Sequence, residues 1–318
     1  MIKILVTAEA GQLNGVTFWR AIRPLSVLRR MYPDQIDYTL AKRGVPVFDL
    51  ASYDVLFALR PNSVEDKNVI ETAKLLGLKV ILDVDDDLCN VPPMHPKHLE
   101  FEAQKEIFRE CYALADWVWC STEQLQFAMD CIGRSSVMPN AVLPEDLPDK
   151  PAPWRGIACW RGSIMAKDDV ENDDAREIYK NYAPLYNRFV WFGYTPNLPH
   201  GTNFVARKSV DTLSYFFGLR NSGVNVTWKP MRDNLFNRAK SNIAWIEATM
   251  GGGICVTNFA LEPGWEHCVS VLDFHRDYIP ELWQESREAI LKDYNLVTVN
   301  ENRFSDIQNL VKNGSVYV

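Results

Sequence analysis

Four carboxylates crowd the run Asp83-Val84-Asp85-Asp86-Asp87, directly after the apolar stretch Lys79-Val80-Ile81-Leu82. Negative charges this close raise one another's proton affinity unless a cation or several hydrogen-bond donors compensate, so such a cluster marks a site. Three uses fit it. A magnesium ion would need the carboxylates in near-octahedral geometry. A catalytic role facing a cleft needs only one of them, Asp85 or Asp86. A plain helix cap would use Asp86 or Asp87.

A second stretch combines cations, a helix start and a distant carboxylate. From Trp228 to Val256 the sequence reads as a strand, a basic loop, a helix begun at Ser241 and a glycine turn, Gly251-Gly252-Gly253, into another strand. Lys240, Ser241 and Asn242 fall where a helix N-terminus would face a phosphate. Glu247, about two turns further on, suits the two hydroxyls of a ribose, or else is an ordinary solvated helix residue. Upstream, Ile157-Ala158-Cys159-Trp160-Arg161-Gly162-Ser163 ends a strand and turns toward Lys167. Arg161, Gly162, Ser163 and Lys167 together offer the N–H donors and fixed positive charge that a diphosphate needs, and a turn with solvated charges is the plain alternative. The loop Glu9 to Val16, which includes Gly15, also precedes a helix. It lacks the GxGxxG pattern, so an anion site and a simple tight turn fit it equally.

Positioning such residues requires strands ending in loops. Short apolar runs alternate with helical patterns from the first residue onward, which predicts parallel sheets covered by helices. Strands are expected at residues 2–7, 54–59, 79–83 and 117–121, and helices at 18–31, 64–76 and 99–115. Ser63 caps the second of these helices and Gly77 stops it. Residues 139–153 contain five prolines and little periodicity, so they form neither a helix nor an interior strand and read as a semi-rigid linker. The alternation then restarts, with strands at 156–160, 189–192, 203–206, 224–228 and 254–257 and helices near 173–187, 210–222 and 241–250. The resulting fold class is α/β: two doubly wound parallel-sheet halves facing each other across a cleft at their carboxyl edges.

Composition narrows the setting. The chain has 318 residues, 34 basic and 41 acidic, for a net charge of -7, so no global positive excess draws it onto phosphate backbones. A local cationic cluster of Arg161, Lys167, Arg232 and Lys240 remains compatible with that total. Seven cysteines without CxxC or metal-ligand spacing indicate neither a disulfide framework nor a zinc site. With no apolar run of about 20 residues and no signal-peptide pattern, no membrane span and a reducing, cytoplasmic compartment are expected. Ten Trp and twelve Tyr supply rings that either pack cores or stack on flat ligands.

The stretch from Phe236 to Glu247, followed by Gly251-Gly252-Gly253-Ile254-Cys255-Val256, resembles the donor-site helix of retaining GT-B glycosyltransferases similar to glycosyltransferase family 4. Asn14-Gly-Val-Thr-Phe-Trp-Arg20, Ser121-Thr-Glu-Gln-Leu125, Pro139-Asn-Ala141 and Trp160-Arg-Gly-Ser163 resemble further segments of these enzymes in the expected order, over about residues 1–260. The compact form looks most like small bacteriophage and bacterial members. The resemblance implies two Rossmann-like domains, an acceptor domain at 1–145 and a nucleotide-sugar domain at 146–290, with 291–318 crossing back to the first. It implies sugar transfer with retained configuration, no cofactor beyond the nucleotide-sugar co-substrate, typically UDP-linked, and no metal. Glu247 matches the second Glu of the family's paired-glutamate motif, which holds the ribose. The first would fall near Ala239 and is absent. Arg161 and Lys167 match the family's basic pair on the diphosphate, with Lys240 as a third candidate. Where relatives often carry a catalytic-site His, this chain has Asp85 and Asp86, and none of its five His falls there.

In such a mechanism the diphosphate takes up negative charge while the sugar gains oxocarbenium character, and the leaving phosphate accepts the acceptor's proton. Arg20 and Arg60 are the expected acceptor contacts. The acceptor itself is open between a modified DNA base, a protein and a glycan. Two other function classes stay in view: a GT-A-like, metal-dependent transferase using Asp85, Asp86 and Asp87, and a two-lobed nucleotide- or sugar-binding protein without catalysis.

Overall fold

Strands that read as unbroken apolar runs must be covered on both faces, and only a parallel sheet with helices above and below does this. The computed structural model describes residues 1–8, 14–42, 49–93, 95, 97–161, 180–192, 203–207, 214, 218, 221, 223–231, 233–258, 260, 262–270, 274 and 279–312. Its first sheet comprises β1 (Ile2–Ala8), β2 (Ile36–Lys42), β3 (Val55–Leu59), β4 (Lys79–Val84), β5 (Trp117–Cys120) and β6 (Ser135–Val137), in the order β2-β1-β3-β4-β5-β6. The second comprises β7 (Ile157–Arg161), β8 (Arg188–Phe192), β9 (Phe204–Arg207), β10 (Val226–Trp228), β11 (Ile254–Thr257) and β12 (Val269–Ser270), in the order β12-β11-β10-β7-β8-β9. Every strand pairing is parallel. The pleat sorts the first core: Ile4, Val6, Val55, Phe57 and Leu59 pack on one face, and Leu5, Leu56 and Ala58 on the other. Tryptophan serves the interior here, with Trp119, Trp191, Trp228, Trp245, Trp265 and Trp283 fully buried.

The strand order reverses direction between β1 and β3 in the first sheet and between β7 and β10 in the second. At such switch points the connections diverge to opposite faces and leave a crevice beyond the carboxyl ends of the strands. Arg60 follows β3 and Asp85 follows β4. Arg161 closes β7 at the same edge of the second sheet.

The helices are α1 (Gly15–Thr17), α2 (Arg23–Met31), α3 (Val64–Leu75), α4 (His98–Leu114), α5 (Glu123–Ala128), α6 (Leu235–Arg238), α7 (Ile243–Met250), α8 (Ile279–Asp293) and α9 (Leu296–Lys312). The expected cap of α3 is a full capping box: the Asp66 N–H donates to Ser63 Oγ at 3.1 Å, and the Ser63 N–H donates to Asp66 Oδ2 at 3.2 Å. Gly77, at φ 83°, ends it. The helix expected over 18–31 starts at Gly15 and carries a π turn (Phe18–Ile22) between α1 and α2. The helix expected over 241–250 begins two residues later: Asn242, not Ser241, is its N-cap. Of the helix expected at 173–187, residues 180–182 are helical and a 3-10 turn (Ala183–Leu185) follows. The one expected over 210–222 lies mostly outside the described residues. Three strands escaped sequence reading. β2 is a half-exposed edge strand, and β6 and β12 are too short to show a period.

Two segments join the halves. After the proline-rich linker, the chain returns at α9, which packs on α2 and the first sheet. There the Trp117 and Trp119 indoles donate to Asp306 Oδ2 at 3.1 and 3.0 Å, and Tyr32 stacks on Phe304 at 3.8 Å. The linker and the returning segment run side by side, the Val142 N–H donating to Tyr294 O and the Leu296 N–H to Val142 O.

At the centre of the first half, Arg20 and Asp83 form an ion pair with no side-chain exposure on either partner. The guanidinium donates to both Asp83 oxygens at 2.8 Å, to Met138 O at 2.6 Å and to Asn140 Oδ1 at 3.3 Å. Removing one member of a buried pair leaves the other uncompensated, so Asp83→Ala should cost about 3–5 kcal/mol in denaturant unfolding. A loss below about 1 kcal/mol would contradict this role. Gly253 packs its Cα against backbone, where an added Cβ would stand 2.6 Å from Val224 O and 2.7 Å from Asn225 O. Gly253→Ala should therefore destabilise by about 1–3 kcal/mol through overpacking. An unchanged melting temperature would show that the strand edge yields.

Candidate functional site

Past the end of β3, Arg60 adopts φ 47°, a left-handed backbone that costs a non-glycine residue about 1 kcal/mol or more and persists only where surroundings enforce it. Its N–H donates to Asp83 O at 3.0 Å. Its guanidinium bridges two members of the acidic run, donating through Nε to Asp85 Oδ1 and through Nη2 to Asp86 Oδ2 at 2.6 Å. From the second half, Lys240 Nζ donates to Asp86 Oδ1 at 3.1 Å while lying 4.1 Å from the centre of the Phe236 ring. The crowding of Asp83, Asp85 and Asp86 is thus compensated by Arg20, Arg60 and Lys240. Asp87 accepts from Asn90 Nδ2 at 2.9 Å through one oxygen, and its Oδ1 is buried without a hydrogen-bond partner. Among the described residues no three His, Cys, Asp or Glu side chains converge as a metal-binding group. Neither Asp86 nor Asp87 caps a helix, because the described residues after them are turns, bends and coil and α4 starts at His98.

The two central carboxylates are pushed apart in acidity. Burial, with Asp86 beside it, outweighs the pull of Arg60 and raises the pKa of Asp85. Burial also acts on Asp86, but Lys240 and Arg60 together overcome it and hold that carboxyl below its ordinary value. Two neighbouring carboxyls of different acidity are an arrangement that can serve proton handling and charge stabilisation at once.

Arg20 departs from the acceptor-contact expectation. Arg20 has no exposed surface, and its donors are spent on Asp83, Met138 and Asn140, so it holds the first half together. Arg60, with 22% of its side chain exposed, is directed at Asp85 and Asp86. Gly15 is the first residue of α1, capped by Asn14 Oδ1 accepting from the Thr17 N–H at 2.8 Å. An added Cβ there would meet nothing within 4 Å, so the turn itself does not demand glycine.

On the second half, the eight-residue α7 has no side-chain cap; the Trp245 and Ile246 N–H groups donate back to Asn242 O at 2.9 and 3.3 Å, so an anion would meet the N–H groups of Ile243 and Ala244. Asn242 is occupied structurally, donating through Nδ2 to Gly264 O at 2.8 Å and to Tyr294 OH at 2.9 Å. Ser241 Oγ accepts from Asn140 Nδ2 at 2.9 Å, a bond between the halves. Glu247 is not a solvated helix residue: it is 1% exposed and accepts from Trp19 Nε1 of the first half at 3.0 Å. Arg161 ends β7, with its side chain outside the described residues, and Gly162, Ser163, Lys167 and Arg232 lie outside them altogether.

Sequence reading missed the residues that knit the halves together. Phe18 and Trp19 pack into the same apolar cluster as Ala244, Trp245, Ile246 and Ala248 of α7. Thr122 Oγ1 donates to Ala239 O at 2.9 Å, and His95 meets Phe236 edge-on at 5.7 Å. Their partners lie far away in the chain, so no local spacing reveals them. The pair of large rings at a helix start, Phe18-Trp19, is the one local hint.

No protein-family model and no curated protein sequence matches the chain. Solved structures do match, over the full length and at low identity. Alr3699/HepE of Anabaena, in complex with UDP, aligns with TM-score 0.63 and 10% identity, over 98% of this chain and 100% of that one. An alpha,alpha-trehalose-phosphate synthase (UDP-forming) from Burkholderia vietnamiensis aligns with TM-score 0.60 and 11% identity, covering both chains fully at 100%. AviGT4, a glycosyltransferase involved in avilamycin A biosynthesis, aligns with TM-score 0.59 and 12% identity, over 98% of each chain. The two parallel sheets, their switch points and these alignments agree: the chain has the GT-B fold.

Proposed function

We propose that this protein is a retaining glycosyltransferase of the family 4 kind that moves a sugar from a nucleotide-diphosphate sugar, UDP-linked by analogy with the UDP complex of HepE, to an acceptor hydroxyl. The observation that carries the reading is the contact of Lys240 with Asp86. It joins the carboxyl edge of the first sheet to the head of an uncapped helix in the second, which is where a diphosphate and a reacting sugar need opposite kinds of charge.

In this reading Lys240 and the N–H groups opening α7 stabilise the leaving diphosphate, with Arg161, Gly162, Ser163 and Lys167 completing its site, for a combined gain of several kcal/mol in a dry cleft. Glu247 receives the ribose hydroxyls. Asp86, held ionised, faces the oxocarbenium character of the sugar, and Asp85, more easily protonated, orients the acceptor hydroxyl. The leaving phosphate accepts the acceptor's proton, so neither a protein nucleophile nor a divalent metal is needed. Acceptor classes consistent with the small bacteriophage and bacterial type are a modified DNA base, a protein or a glycan. A cytoplasmic setting fits seven cysteines that are all free thiols, and no described helix is long and apolar enough to cross a membrane.

Two experiments test this. In a thermal-shift screen, UDP and UDP-sugars should raise the melting temperature of the wild type with or without EDTA, because a ligand binding the native state stabilises it by mass action. Lys240→Met should lose most of the shift. If no nucleoside diphosphate stabilises the protein, the donor-site assignment is wrong, and a shift that vanishes in EDTA would favour a metal site at the acidic run. The second experiment concerns acidity. Arg60 lowers the proton affinity of both Asp85 and Asp86, so Arg60→Met raises it. If turnover needs ionised Asp86, the acid limb of the pH–rate profile moves up by about one unit or more. An unmoved limb would remove Asp86 from the chemistry.

A further inference from the structure

Glu247 is reached from the other half of the molecule. Trp19 lies in the π turn between α1 and α2, and its indole N–H donates to Glu247 Oε1 at 3.0 Å across 228 residues of sequence, with both side chains buried. Its neighbour Arg20 turns into the first core to meet Asp83. The Arg23 N–H donates to Phe18 O, five residues back, and this wider turn sets adjacent residues toward different partners. Such π turns are rare in helices and recur at functional positions. Phe18 meets Trp19 edge-on at 5.9 Å, and both pack among the α7 side chains, which fixes the indole plane.

We infer that Trp19 is a positioning residue for the nucleotide ribose. It fixes the rotamer of Glu247 from across the cleft, so that the carboxylate meets the ribose hydroxyls in one orientation. The inference rests on the donor reading given above. A carboxylate accepts along about four lone-pair directions, and an indole N–H takes one of them. A hydrogen bond to a charged group is among the stronger ones, and geometry held by two packed rings is not re-established by water once the N–H is gone. The first half thereby contributes to donor affinity without touching the donor.

The test is Trp19→Phe, which keeps a ring and removes only the donor, titrated calorimetrically with UDP and with 2′,3′-dideoxy-UDP. The expected result is a loss of roughly tenfold in UDP affinity, the scale of one charge-assisted hydrogen bond, with no change for the dideoxy probe. Glu247→Gln is measured alongside, and so is the double variant, in which the two losses should not add. If Trp19→Phe weakens both probes equally, or leaves UDP unchanged while Glu247→Gln weakens it, Trp19 packs the interface and does not position the carboxylate. If Glu247→Gln leaves UDP affinity unchanged, the ribose assignment itself falls. Chemical denaturation of each variant separates a folding defect from a binding one.

Discussion

A charged side chain with no access to water must have its donors met, and Arg20 meets this demand by binding three residues of the first half. Asp83 fixes it to β4, and Met138 O and Asn140 fix it to the start of the linker. The chain of bonds continues outward. Asn140 passes to Ser241 beside the head of α7, the Asp83 carbonyl receives the N–H of left-handed Arg60, and the π turn that aims Arg20 inward aims Trp19 at Glu247. The acidic run, the linker and α7 are thus referenced to one buried guanidinium. Such a pair adds little net stability compared with an apolar replacement, because desolvation offsets the attraction. Its contribution here is geometric.

A second buried guanidinium sits nearby. Arg303 of α9 donates through Nη1 to Asn300 Oδ1 at 2.9 Å, lies 5.8 Å from the Trp119 ring, and has Nε and Nη2 buried without hydrogen-bond partners. Burial, with Arg20 close by, lowers its pKa to about 9. The first half therefore balances two interior cations against Asp83 and the more distant Asp306.

The fold was legible because its signals are local. Apolar runs identify interior parallel strands, Ser63 and Gly77 bracket a helix, and prolines cannot continue either element. The site was legible in part for the same reason: four carboxylates in five residues reveal themselves, and so does a cation before a helix. Pairing was not legible. Arg20 was misread as an acceptor contact because a cation early in an amphipathic helix ordinarily faces water, and its partner stands 63 residues on. Glu247 was identified, but Trp19 was not, since nothing in their spacing brings them together. The supposed cationic cluster illustrates the same limit. Lys240, its one member with a described side chain, is balanced by Asp86, so counting basic residues overstates the positive field offered to a polyanion.

The side-by-side passage of the linker and the returning segment has a mechanical consequence. Val142 and Asn295 bridge in parallel fashion where the chain leaves one half and where it comes back. A single covalent connection would let two lobes twist and slide freely. Two connections fastened to each other, together with the bonds of Trp19 to Glu247, Asn140 to Ser241 and Lys240 to Asp86, tie the halves at several points. The return of α9 to its starting half thus doubles the proline-rich tether, so that drawing the halves apart strains two stretches of chain at once.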